Sequence, residues 1–516
     1  MLLPFGGSAK FHYLWVYVYQ FISMAGIKSL VKDTAIYGLS SIVGRFLNWC
    51  LVPLYTNLFV QSEYGTVTYI YAWVALLLTL LTYGMETGFF RFANKTDGFS
   101  SDNVYTTALT SLLTTSLIFA VAVCAFSPAI AGFADCPGHP EYISMMGVTV
   151  AIDAFTALPF AYLRFQKKPV RFAVIRLLNI GLNIGLNLFF LLVCPWLVKM
   201  APGIMGWYDG SFGIGYIFLA NLISSAVTML LLIPQLRVRS WCFSGRLLKK
   251  MLTYSWPLLV LGIAGVLNQS VSTLLFPKIC GLNPDEAMAQ LGIYNANFKI
   301  AIIMVMFTQA FRFAFEPFIF ARASEGDNQD AKLKTYADAT KYFLISGLFI
   351  FLGVMFFLPI LKYFISPAYF EGLKVVPVVM AAELFFGIFF NLSLWYKLTD
   401  RTIWGTYLSL GGLAITIVLN LILVPRFGYM GCAWASFFCY GSMMVASYIS
   451  GQRHYPIPYE LVRMVFYTVL ALILYLASEA LTVSSEIINY VVRTLMLALF
   501  CYAVIRQEEL HKVFRK

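Results

Sequence analysis

The sequence predicts an all-α polytopic membrane protein of about fourteen transmembrane helices, arranged as two six-helix lobes related by a parallel pseudo-two-fold repeat plus two C-terminal helices. Three observations carry this. The 516 residues are 60% hydrophobic and only 12% charged, against about a quarter charged in soluble domains, so no soluble core of this size hides the apolar surface. The apolar residues cluster in runs near the roughly 20 residues that cross a bilayer. Lys and Arg alternate between the intervening loops. Disordered, collagen-like, disulfide-framework and nucleic-acid-binding classes are excluded at this step, because loop asymmetry accounts for the +12 net charge.

In chain order, apolar stretches bounded by charged or Gly/Pro/Asn-rich breaks run 34–58, 64–90, 104–131, 142–163, 172–197, 212–236 and 252–277, then 289–315, 339–361, 372–396, 402–425, 429–450, 459–478 and 485–505. The fifth and seventh carry polar residues, and the eighth is amphipathic. With the N-terminus inside, the inner segments hold 26 of the 36 Lys and Arg, and the outer loops hold Lys199, Lys278, Lys362, Lys374 and Arg426. Such an asymmetry predicts both termini on the cytoplasmic side.

No soluble domain interrupts the pattern, since the longest polar stretch is Ala323–Asp338. Binding therefore belongs within the bundle. The nine cysteines are scattered singly with no C-x-x-C pair, and the four histidines are far apart, so neither a metal site nor a cofactor is expected. Residues 1–23 hold an aromatic run, FHYLWVYVYQFI, without the marks of a signal peptide. An interfacial helix is one reading; translation starting at Met24 is the preferred one.

The chain repeats its own plan. Pro53 and Pro277 sit near the outer ends of the first and seventh stretches, Gly65 and Gly292 open the second and eighth, and Phe/Arg/Glu clusters (Glu86 and Arg91; Arg312 and Glu316) close them. Gly65 and Gly292 are 227 residues apart. Six helices separate each pair, so the repeat is parallel, about an axis along the membrane normal. The expected divisions are an N-terminal extension (1–27), an N-lobe (28–240), a C-lobe (241–450) and a C-terminal pair of helices with a tail (451–516).

The segments YGLSSIVGRFLNWCLVPLYTNLF, EYGTVTYIYAW and YGMETGFFRFA, followed in the second half by GIYNANFKIA and FRFAFEPF, resemble the polysaccharide transport (Wzx-like, O-antigen flippase) branch of the multidrug/oligosaccharidyl-lipid/polysaccharide (MOP) exporter superfamily. The resemblance spans about residues 28–450. It implies two lobes facing each other in a V, a central cavity and alternating access. It also implies translocation of an undecaprenyl-pyrophosphate-linked oligosaccharide across the bacterial cytoplasmic membrane for surface polysaccharide biosynthesis. Membrane lipids, and polysaccharide polymerases or glycosyltransferases, are the partners it suggests.

Helical period picks out candidate residues. In the first span Tyr37, Ser41, Arg45 and Asn48 form one polar stripe. In the second, Thr68, Tyr71, Thr79, Thr82 and Glu86 follow one face, and the eighth repeats the idea with Asn295, Lys299, Gln309, Arg312 and Glu316. Three one-sided polar seams imply a shared hydrophilic cavity. Arg offers a planar fork and Lys a point charge for pyrophosphate oxygens. Arg45, Asn48, Tyr37, Ser41, Lys299, Arg312 and Asn295 are thus the substrate-binding candidates. Against this stands helix-gluing by an Arg45 pair with Glu86 or Asp153. Glu86, Arg91 and Glu316 are candidates for gating, and a lobe-locking Glu86–Arg91 pair competes with substrate contact. Asp153 and Glu383, mid-span in the fourth and tenth helices, are candidates for a coupling proton or sodium. Arg176 and Arg493 lie near span ends and are expected to snorkel.

Three other functions compete. A cation-coupled multidrug antiporter wants an acidic cavity, whereas membrane groups here favour cations by two. An integral-membrane polymerase or glycosyltransferase needs a sizeable outer loop or soluble catalytic domain. A peptidoglycan-precursor flippase shares both the helix plan and the basic cavity.

Overall fold

The computed structural model describes residues 43–94, 99–136, 138–200, 206–238, 241–324, 329–399, 401–481 and 485–508, the side chains of 314 and 316–324 excepted. Tyr37, Ser41, Met24, the whole 1–27 segment and the Glu316 side chain lie outside the described residues. In hydrocarbon no water satisfies backbone N–H and C=O groups, so a spanning segment must bond them internally. The described residues accordingly form helices and turns, with no strand among them.

The helices are α1 (43–58, broken at Cys50 and Leu51), α2 (Gln61–Ala93), α3 (Ser101–Ala125), α4 (Pro140–Phe165), α5 (Pro169–Met200), α6 (Gly215–Leu231) and α7 (Gly245–Ile279). They continue with α8 (Pro284–Ser324), α9 (Gln329–Phe356), α10 (Pro367–Leu398), α11 (Ile403–Phe427), α12 (Tyr429–His454), α13 (Leu461–Ala480) and α14 (Glu486–Gln507). Among the described residues twelve are long and apolar enough to cross a membrane, and α6 is shorter. Each apolar stretch read from the sequence overlaps a helix among the described residues, the first of them from residue 43 on. The largest differences lie around α7, α8 and α9: α7 begins before residue 252, α8 runs beyond 315, and α9 begins before 339. Hydropathy registers only the part of a helix that lipid requires to be apolar, so a charged continuation of the same helix goes unseen. Much of the polar Ala323–Asp338 stretch is therefore helical rather than loop.

Local chemistry sets the boundaries. The Val60 N–H donates to the Glu63 carboxylate (3.1 Å) at the start of α2, and the Ser100 hydroxyl accepts from the Asn103 N–H (3.2 Å) at the start of α3, each satisfying a donor the helix leaves unpaired. Prolines open α4, α5 and α8, where a missing N–H costs nothing. Tyr83 and Gly84 are both left-handed (φ 33° and 70°) and break α2, so that Met85–Ala93 leaves in a new direction. Ser255 of α7 sits at this break and donates to the Gly84 carbonyl (3.3 Å).

Packing follows the repeat. In the first half α2 packs on α4, α3 on α4, α4 on α6 and α6 on α5; in the second α8 packs on α10, α9 on α10, α10 on α12 and α12 on α11. The halves meet most closely where α2 crosses α8. A Cβ on Gly65 would stand 1.9 Å from the Met288 carbonyl oxygen, and one on Gly292 would stand 2.0 Å from the Gln61 carbonyl oxygen. Gln61 and Met288 are themselves 227 residues apart, as Gly65 and Gly292 are. The contact is thus reciprocal, the signature of a two-fold between equivalent elements, and backbone meets backbone because neither glycine carries a side chain.

α13 and α14 lean on α9. Lys341 of α9, buried at 4% side-chain exposure, reaches Glu508 (2.8 Å), Glu460 (3.2 Å) and Asp338 (3.3 Å). Arg463 adds contacts to Glu460 (2.9 Å) and Glu508 (3.7 Å). Tyr467 donates to Glu508 (2.8 Å), completing a polar staple that ties the last two helices to the bundle.

Candidate functional site

A cavity of about 380 Å³ opens among α1, α2, α4, α5, α6 and α8. Helical period brings its walls together. On α1, Arg45, Asn48, Trp49 and Val52 recur on one face and line it; on α8, Lys299, Ile302, Val305, Met306 and Gln309 do so. Trp49 fixes the junction of these two helices: its indole N–H donates to the Lys299 carbonyl (2.7 Å) while its ring stacks on Phe364 (4.0 Å). The Arg45 guanidinium crosses to the Gln309 side-chain carbonyl. Its bond is to a neutral amide, not to Glu86 or Asp153.

The remaining wall belongs to α2, α4, α5 and α6. Thr68 and Tyr71 face inward from α2, Asp153 from α4, Asn179 and Asn183 from α5, and Asn221, Ser224 and Ser225 from α6. Asp153 lies beside Ser225, and Arg176 stands within electrostatic reach of both Asp153 and Arg45. Asn295 donates to the Thr68 hydroxyl (3.2 Å) across the α2–α8 crossing. This pair, too, is separated by 227 residues. Deeper in, Tyr55 donates to Asn187 (2.9 Å), which donates in turn to the Asn183 carbonyl (2.8 Å).

Other sequence candidates lie elsewhere. Arg312 sits over the Phe390 ring (4.8 Å) in a separate small recess bounded by α8, α9 and α10. Glu86 pairs with Arg164 of α4 within its own half, and Arg91 stacks over Tyr254 of α7 (4.0 Å); the expected Glu86–Arg91 pair is not what forms. Thr79 and Thr82 return their hydroxyls to their own helix, at Ala75 and Leu78. Glu383 is buried in α10, near Tyr294 and Tyr440, away from the cavity, and among the described residues it forms no ion pair. Arg493 donates to the Phe356 carbonyl (3.1 Å).

Asn179, Asn183, Asn221 and Ser224 escaped the sequence reading, although LLNIGLNIGLNL does place Asn179, Asn183 and Asn187 at successive i, i+4 positions. A second cavity, of about 240 Å³, is lined by apolar side chains of α2, α3, α4 and the short helix Ser127–Phe133. It carries no charge.

At the end where α1 gives way to α2, the halves are joined by several bonds. Gln61 donates to the Ala368 carbonyl, Tyr369 to the Phe59 carbonyl (3.1 Å), and the Ser366 N–H to Thr56 (3.3 Å). Lys278 pairs with Asp135 (2.6 Å) at the same end.

Comparisons with known proteins place this architecture. No curated protein sequence matches the chain significantly. Among solved structures, a lipid II flippase MurJ in an inward closed conformation superposes with a TM-score of 0.69 at 12% identity, covering 92% of this chain and 99% of that one. An inward-facing multidrug resistance MATE family transporter of the MOP superfamily gives 0.60 at 15% identity, covering 81% and 94%. A MOP superfamily transporter from Pyrococcus furiosus, described as having a binding pocket of reverse polarity, gives 0.54 at 16%, covering 82% and 95%. These likenesses establish the fold. The model of the family described as polysaccharide biosynthesis protein matches residues 30–320, more than half of the chain, which therefore belongs to that family.

Proposed function

We propose that the protein is a flippase that carries an undecaprenyl-pyrophosphate-linked oligosaccharide across the bacterial cytoplasmic membrane by alternating access, with both termini inside and the α1–α2 turn outside. The observation that carries this is the convergence of Arg45 and Lys299 on one polar cavity, with Arg176 beside it and Asp153 as the acid among its lining residues. A diphosphate brings two or more negative charges, and a guanidinium fork and an ammonium that face it from α1 and α8 neutralise them. A cationic drug meets the opposite balance there. A lipid-linked peptidoglycan precursor satisfies the same charges, and the likeness to a lipid II flippase makes it the second reading.

In this reading Asn48 and Asn295, with Tyr37 and Ser41 from the segment that precedes the described residues, complete the substrate path, and 28–240 and 241–450 act as the two lobes. Asp153, which lines the cavity within electrostatic reach of Arg176, is the coupling group, with Glu383 its counterpart in the second lobe. Glu86, Arg91, Arg312 and Glu316 govern the inner boundary rather than the head group. Membrane abundance and polysaccharide export, measured side by side, test the assignment. Arg45→Ala and Lys299→Ala should each abolish export at normal abundance, and normal export by a stably expressed Arg45→Ala would refute it.

A further inference from the structure

The two sides of the cavity differ in hydrogen-bonding sense. Arg45 and Lys299 are donors only. On the facing α5–α6 wall, the Asn179 amide nitrogen is committed to the Ser224 carbonyl (3.0 Å) and the Thr228 hydroxyl (2.8 Å). The Asn221 nitrogen is committed to the Ile217 carbonyl (2.8 Å) and the Tyr71 hydroxyl (2.6 Å). A backbone carbonyl only accepts, so these bonds fix which end of each amide is nitrogen, and each Oδ1 is the atom left for the cavity. Ser224 repeats the pattern: its hydroxyl donates back to the Ala220 carbonyl (2.7 Å), leaving oxygen lone pairs. Tyr71, whose oxygen already accepts from Asn221, keeps its proton to give.

A ligand that satisfies both walls must accept at one end and donate at the other. A fully ionised diphosphate ester has no proton to donate. A saccharide joined to it has several, as ring hydroxyls or as an amide N–H. We infer that the α5–α6 wall formed by Asn179, Asn221 and Ser224 reads the sugar unit attached directly to the diphosphate, while α1 and α8 hold the diphosphate itself. The inference rests on the flippase reading and adds to it a division of labour: the first half of the chain supplies selectivity for the sugar, and among the described residues of the second half α8 alone reaches the cavity. Among the described lining residues the charged ones are Arg45, Lys299 and Asp153, which suits an α5–α6 wall that must discriminate among uncharged hydroxyls.

The test compares two probes on the full-length protein in lipid nanodiscs: farnesyl pyrophosphate, and farnesyl pyrophosphate carrying one N-acetylglucosamine or one galactose. The wild type should bind at least one glycosylated probe about tenfold or more tighter than the bare one, the scale of one or two well-placed hydrogen bonds. Ser224→Ala and Asn221→Leu should collapse that ratio, and Asn221→Asp, which keeps acceptors at the position, should retain more of it than the leucine variant. Arg45→Ala should lower both affinities together and leave the ratio standing. A merely structural role predicts that the α6 variants lower both affinities in parallel, and that result overturns the inference. So does a wild-type ratio near one, which leaves the flippase reading intact. If neither probe binds the wild type, the flippase reading falls as well.

Discussion

Arg45 is held by a neutral amide and lies opposite Lys299 with no carboxylate bonded to it among the described residues. A cation in that setting keeps its charge available to a ligand. Removing it therefore costs function before stability, whereas a structural pair behaves the other way, because an orphaned buried acid is expensive. Arg45→Lys should recover only part of the export lost in Arg45→Ala, since a point charge replaces a two-pronged donor. Export assayed at matched membrane abundance checks this. The sequence made Arg45, Asn48 and Lys299 legible because each breaks an apolar run at helical spacing. It misplaced Arg312 for a geometric reason: thirteen residues beyond Lys299 turn the helix by about 220° past whole turns, toward the opposite face. Asn179 and Asn221 were illegible because an asparagine in an apolar helix looks the same whether it ties two helices together or faces a cavity, and these two do both.

The α2–α8 crossing is the element contact most exposed to single substitutions. A methyl at Gly65 collides with the Met288 carbonyl at 1.9 Å, and that atom is backbone with no rotamer to yield. Gly65→Ala should destabilise the protein by about 1–3 kcal/mol, the ordinary cost of overpacking, whereas Gly181→Ala in α5, where nothing lies within 4 Å, should not. Thermal melts in detergent compare the two. The staple on α9 behaves differently. Burial opposes ionisation of Glu508, but the Lys341 contact outweighs it and holds the carboxyl below the usual carboxylate range. A depressed carboxylate stabilises above its unfolded pKa and loses that contribution as pH falls through its folded one. Docking of α13 and α14 should therefore be intact at neutral pH and weaken in acid, below about pH 4. Limited proteolysis of the C-terminal segment follows it. Lys341→Met should expose that segment at neutral pH, and adding Glu508→Gln should protect it again. None of this staple was legible in the sequence, because Glu460 and Glu508 lie 119 and 167 residues from Lys341 and only the fold sets them beside it.

For the whole molecule, the order of helices was legible and their lengths were not, since lipid dictates composition only across its own thickness. The parallel repeat is read from three matched features, the prolines, the glycines and the Phe/Arg/Glu clusters, and contacts at the same offset of 227 residues are consistent with it. Orientation rests on the Lys and Arg asymmetry. Reporters fused after Gly98, Gly245 and Gly451 should read cytoplasmic and those after Gly138, Gly210 and Ser484 periplasmic; a reversed signal at either end would sink the topology.

The glycine crossing carries one more implication. Most helix interfaces hold by interlocked side chains, and parting them means unthreading many rotamers at once. At Gly65 and Gly292 two bare backbones touch, so parting them there unthreads no glycine side chain, and the Asn295–Thr68 bond is the side-chain hydrogen bond described across the crossing. Such a joint resembles a valve seat: watertight when pressed shut, yet cheap to lift. The bonds around it, from Gln61 to Ala368 and from Tyr369 to Phe59, then serve as latches whose few hydrogen bonds set how firmly the seat is held. For the flippase proposed above, a seal made of backbone contact and a few hydrogen bonds would open for a bulky cargo at less cost than an interface of interlocked side chains.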